Sequence, residues 1–133
     1  MQSLVVAIDF DGCIAYYDGW RGVDVFGKIL PGAIEALKAI RSAGHRIIIW
    51  TCRQNTQALF DYLVRSGVPF DAINTNPWDK VVDPTPGECR KIPADVYIDD
   101  RGVSFRGDWS KIPELINNFV TWVPHRSMEI KGG

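Results

Sequence analysis

The sequence is short of cysteine pairs, of long apolar runs and of any surplus of charge, and each shortage removes a class of function. Its three cysteines, Cys13, Cys52 and Cys89, are odd in number and form no C-x-x-C pair. Neither a disulfide framework nor a zinc site is expected, and a reducing compartment is. No apolar stretch approaches the about 20 residues needed to cross a bilayer, so no membrane partner is expected. Lysine and arginine number 15 against 16 aspartates and glutamates, for a net charge of −1. That balance gives no electrostatic reason to expect nucleic acid or an anionic membrane as a partner. A strand pattern starts almost at Met1, which leaves no room for the parts of a secretion signal. The expected location is cytoplasmic.

What remains is an ordinary globular composition, 46% hydrophobic and 23% charged over 133 residues, which fits one domain. Four short apolar runs, at 4–8, 46–50, 70–73 and 94–98, are rich in Val, Ile and aromatics and read as strands buried on both faces. The segment PGAIEALKAIRSAG places Ile34, Leu37 and Ile40 at helical spacing between Pro31 and Gly44. The segment QNTQALFDYLVRSG does the same for Leu59, Tyr62 and Leu63 before Gly67. A third amphipathic stretch is predicted from 110 to 123, ahead of Pro124. Alternating strand and helix predicts an α/β fold, a single Rossmann-like three-layer domain over 1–123 with a mainly parallel central sheet. Positions 124–133 read as a flexible tail.

In open α/β sheets ligands sit beyond the carboxyl ends of the strands. There the first run ends in Asp9-Phe10-Asp11-Gly12, the second in Trp50-Thr51-Cys52-Arg53 and the fourth in Ile98-Asp99-Asp100-Arg101. Two carboxylates this close raise each other's cost of ionising. Taken alone, Asp9 and Asp11 could form a solvated turn, Asp99-Asp100 could cap the next turn, and Thr51 could be an N-cap. If the strands are parallel neighbours, four carboxylates, a threonine and two arginines meet in one crevice. A hard cation such as Mg²⁺ takes oxygen ligands and removes the penalty of clustering them. One carboxylate could then attack phosphorus, a second could move the proton, and Thr51 could hold a phosphoryl oxygen.

In that order, D-F-D-G, an apolar run ending in W-T, and a lysine upstream of an apolar run ending in D-D resemble the haloacid dehalogenase superfamily of phosphatases, over most of the chain. The resemblance implies Asp9 as nucleophile and metal ligand, and Asp11 as general acid/base that lends its backbone carbonyl to Mg²⁺. It implies Thr51 as phosphoryl-binding, Asp99 and Asp100 as metal ligands directly or through water, and Lys91 as the lysine, with Lys80 as the alternative. The family usually has threonine after D-x-D-G where this chain has Cys13, a poor hydrogen-bond partner. The irregular stretches 13–30 and 74–91 are too short for the family's inserted cap domain, so none is expected, and loops or a neighbouring subunit would roof the site. A homodimer or homotetramer is expected on that ground.

Gly12, Cys52, Arg53 and Arg101 flank these positions and are expected to bind substrate, and Trp20, Arg21, Trp78 and Lys80 lie in loops where substrate recognition would sit. His45 reads as structural. G-x-x-x-x-G-K over 22–28 is not a phosphate loop, because Ile29 stands where a hydroxyl must meet Mg²⁺. The expected function is a Mg²⁺-dependent phosphatase forming an aspartyl-phosphate on a small phosphorylated metabolite, a sugar phosphate or nucleotide. The alternatives are a phosphate-binding pseudoenzyme and a receiver-like phospho-acceptor, the latter disfavoured because the second strand ends in threonine.

Overall fold

The computed structural model describes residues 2–78 and 91–120. In chain order it has β1 (Val5–Asp9), α1 (Ala33–Ser42), β2 (Arg46–Trp50), α2 (Thr56–Ser66), β3 (Ala72–Ile73), β4 (Val96–Ile98) and α3 (Ile112–Asn117). All pairings are parallel, in the order β3-β2-β1-β4. The sheet therefore grows outward through β2 and β3, then returns to the other side of β1. That reversal at β1 is where such sheets open a crevice.

Side-chain alternation decides what each face of the sheet carries. Val6 and Ile8 pair with Ile47 and Ile49, and these four join Leu37 of α1 and Leu59 and Leu63 of α2 in one buried cluster. Both long helices thus pack on the same face, as two right-handed crossovers in the same direction require. On the opposite face Ala7 and Ile48 are wholly buried, and Trp50 lies against Tyr97 with ring centroids 5.6 Å apart. The connection that would supply the third layer there includes positions 79–90, outside the described residues.

The amino ends of the strands are closed by polar groups with backbone partners. Asp71 accepts from the Ile47 N–H at 2.8 Å and from Arg41 at 2.6 Å, and Asp95 accepts from the Val5 N–H at 2.8 Å. His45 takes the structural place expected of it, its Nδ1 accepting from the Leu4 N–H. The helices end close to their sequence signals. The Asn55 side chain caps α2 by accepting from the Ala58 N–H, and the helix stops at Gly67.

The third helix is shorter than its apolar spacing predicts. Asp108 caps a 3₁₀ turn at Trp109–Lys111 by accepting from the Ser110 N–H, and α3 ends at Asn117. Two consecutive asparagines explain the stop, since their amides compete for backbone groups; Asn118 donates from its side chain to the Glu114 carbonyl. The remainder of the predicted span, and the predicted tail, lie at 121–133, outside the described residues. No inserted domain occurs among the described residues: 13–30 carries only isolated bridges, Asp11 with Ala15 and Ala15 with Ile29. No helix of the described residues is long and apolar enough to cross a membrane.

Candidate active site

Beyond β1 the chain turns tightly around one carbonyl: the N–H groups of Cys13, Ile14 and Ala15 all point to the Phe10 oxygen, at 2.9 to 3.2 Å. Gly12 occupies this turn with φ at +86°, and a Cβ there would lie 2.6 Å from Oδ2 of Asp100. Only glycine permits both the backbone conformation and the approach of Asp100. The glycine of D-x-D-G is thereby explained by packing between the ends of β1 and β4.

Asp9 emerges from this turn among other carboxylates. Burial, then the charges of Asp99 and Asp100, a hydrogen bond with Asp100 and the charge of Asp11 push its carboxyl up to about 8. The side chain of Asp100 is 3% exposed, and its Oδ1 is buried without a hydrogen-bond partner. Cys13 lies beside them. Burial and the same carboxylates push its thiol up to about 12, while the backbone N–H of Asp100 directed at the sulfur works the other way. Ligand atoms of Asp9, Cys13 and Asp100 lie within 4.8 Å of one another and could hold a metal ion. A buried carboxylate oxygen with no donor is a costly feature in a protein alone, and a cation is the partner that such a donor set fits.

The acid/base candidate Asp11 has a different environment. Arg53 grips it from two nitrogens, Nε to Oδ2 at 2.8 Å and Nη2 to Oδ1 at 2.9 Å. The same guanidinium donates to the carbonyls of Val23 and Val25 and lies 4.7 Å from the ring centroid of Phe26 and 5.0 Å from that of Trp20. Arg53 is thus a buried tie between Asp11 and the 16–28 loop. The loop is closed at its base by the Tyr16 N–H donating to Lys28. A Cβ on Gly27 would meet the Tyr16 carbonyl oxygen at 1.9 Å, so only glycine fits there as well.

Thr51 directly follows β2, buried, with its Oγ1 accepting from the Arg53 N–H at 3.1 Å. Asn74 clamps it from the end of β3: the Thr51 N–H donates to Asn74 Oδ1 and the Asn74 amide donates to the Thr51 carbonyl, both at 2.8 Å. The signal for Asn74 in the sequence is slight, an asparagine directly after a strand, the residue that tolerates positive φ; here φ is +54°.

A cleft of about 420 Å³ brings Asp9, Asp11, Thr51 and Asp99 together, with Cys52, Arg53 and Arg101 also on its lining. Asp99 accepts from the Arg101 N–H at 2.9 Å. Trp20, expected there, is joined by Trp50 of the W-T motif and by Tyr17, whose spacing in the sequence carries no mark. Arg21 lines an adjoining cleft that shares Asp11 and Arg53, and it pairs with Asp18.

Two expectations differ. The ammonium of Lys91 sits 4.6 Å from the ring centroid of Tyr97 and is not among the residues lining the cleft. Trp78 stacks on Arg46, the first residue of β2, and so belongs to the amino end of the sheet and not to the site. Lys80 lies outside the described residues.

No family model and no curated protein matches the chain. Among solved structures it is similar to a conserved protein from Bacteroides thetaiotaomicron, with 31% identity and a TM-score of 0.59 over 87% of this chain and 91% of that one. The chain belongs to the family of that conserved protein.

Proposed function

We propose that this protein is a cytoplasmic phosphomonoester hydrolase of the haloacid dehalogenase type, acting on a small phosphorylated metabolite such as a sugar phosphate or nucleotide. One observation carries the reading: Asp9, Asp11, Thr51 and Asp99, from the carboxyl ends of three adjacent parallel strands, line a single cleft. Asp9 would attack phosphorus as the bond to the leaving oxygen breaks, and Asp11 would give that oxygen its proton. Water would then attack the aspartyl-phosphate, losing its proton to Asp11, and inorganic phosphate would leave with Asp9 restored. Asp11 accepts from Arg53 through both oxygens, so proton donation requires that pair to open.

Thr51 has its backbone N–H occupied by Asn74, which leaves its hydroxyl hydrogen for a phosphoryl oxygen. Mg²⁺, with Asp9, Asp99, Asp100 and the Asp11 carbonyl as its holders, would neutralise the clustered carboxylates and the phosphoryl charge. Lys91, which rests against Tyr97 outside the cleft lining, would have to swing inward to serve as the lysine, and unchanged turnover in Lys91→Ala would move the role to Lys80.

The test is hydrolysis of an aryl phosphate. Turnover is expected with Mg²⁺ and should vanish in excess chelator and in Asp9→Asn, while Asp11→Asn should accumulate a phosphoryl adduct on Asp9, found by mass spectrometry. Full activity in chelator would refute the reading. The grip of Arg53 on Asp11 favours one second reading, a phosphate-binding protein without turnover, and binding of inorganic phosphate with no hydrolysis would select it.

A further inference from the structure

We propose that Asp9, Cys13 and Asp100 form a mixed carboxylate–thiolate site that takes a thiophilic divalent cation such as Zn²⁺, Co²⁺ or Cd²⁺. The inference goes beyond the phosphatase reading, since it concerns which ion these donors select. It stands whether or not the site turns over phosphate.

Three features show a site that is built and not merely a crowd of acids. The ligand atoms lie within 4.8 Å of one another, so one ion at about 2.0–2.3 Å from each oxygen or sulfur can bridge them once the side chains draw in. Asp100 is 97% buried as a side chain and its Oδ1 has no hydrogen-bond partner. Its approach is secured by the bare Cα of Gly12. Cys13 is held in place too: its N–H is tied to the Phe10 carbonyl in the turn that follows Asp9.

Sulfur is what sets the preference. A hard ion such as Mg²⁺ gains nothing from a thiol and uses only the oxygens, whereas a borderline or soft ion gains a strong third ligand. On binding, the sulfur–metal bond forms as the thiol proton leaves to solvent. Of these ligands Asp9 lines the cleft, and a set of three protein ligands is that of reactive zinc sites, in contrast to closed structural sites with four. An ion held in this way would occupy Asp9 and compete directly with Mg²⁺.

The experiment is titration of Cd²⁺ into the full chain, followed by sulfur-to-cadmium charge-transfer absorption in the ultraviolet. A band saturating at one ion per chain is expected. It should be lost in Cys13→Thr and retained in Cys52→Ser, and its midpoint should weaken at least about tenfold in Asp100→Asn, since losing a ligand costs no less than losing an outer-shell partner. Circular dichroism checks each variant; should Cys13→Thr fail to fold, Cys13→Ser carries the same expectation. No band in the native chain, an undiminished band without Cys13, or an unchanged midpoint in Asp100→Asn would overturn the proposal. Aryl phosphate turnover with Mg²⁺ in the same preparations separates the two readings: turnover without the band sinks this one alone, and the band without turnover sinks only the other.

Discussion

Four of the five guanidinium N–H groups of Arg53 are committed inside the protein, two to Asp11 and two to the carbonyls of Val23 and Val25. With its side chain 5% exposed and that of Asp11 19% exposed, the pair is far from a solvated surface bridge. Removing one partner of such a pair leaves the other charge uncompensated, at a cost of about 3 kcal/mol or more. Arg53→Met is therefore expected to destabilise the protein by about that amount in denaturant unfolding, and Arg53→Lys to recover little, because an ammonium cannot fork onto a carboxylate. A loss under about 1 kcal/mol would place the pair with ordinary surface bridges. The position of Arg53 was legible, three residues past a predicted strand. Its burial was not, because Val23 and Val25 come from a loop with no periodicity to fix their place.

At the scale of elements, α1, α2 and the central strands follow their apolar spacing because one large buried cluster rewards it. β3 is different. It has only two ladder residues, Ala72 and Ile73, and its contribution to the site is the residue after it. The Asn74 amide satisfies both the N–H and the carbonyl of Thr51, standing in for the next rungs of the ladder. Asn74→Ala leaves the Thr51 N–H without its acceptor and puts alanine at positive φ, an expected loss of about 1–3 kcal/mol. Asn74→Gly keeps the same loss of hydrogen bonds but relieves the backbone, so the difference between the two in thermal unfolding isolates the strain. Equal stability of all three forms would mean that the amide pair adds nothing. The ends of strands were thus readable as places, while the side chains that brace them were not, since a brace is visible only when two strands are seen together. α3 fails for a related reason: Leu115 and Ile116 have the right spacing, but they stay 45% and 57% exposed, so no core extends the helix past Asn117.

For the whole molecule, acids at the two ends of the sheet serve opposite purposes. Asp71 and Asp95 at the amino ends bond to the backbone, whereas Asp9 and Asp100 at the carboxyl ends face one another. The exposed apolar residues Val96 and Ile98 on edge strand β4, with Leu115 and Ile116 on α3, support the proposal of a homodimer or homotetramer; light scattering at micromolar concentration should find one, and a monomer would count against it. The facing carboxylates make a firmer prediction about pH. With chelator present, the Asp9 carboxyl titrates near 8 in the fold and near 3.9 in an unfolded chain. Between those values the folded state holds the extra proton, so stability is fullest below about pH 4 and falls as pH rises through about 8. Denaturant unfolding in chelator should show that decline between about pH 5 and 8, and Asp9→Asn, which cannot ionise, should flatten it. A saturating divalent cation should reverse the trend, because it binds the carboxylate form and gains as the proton leaves. If metal-free stability instead rises across this range, or Asp9→Asn declines as steeply as the native chain, the carboxylates are not held against their mutual repulsion and the site is not built for a cation.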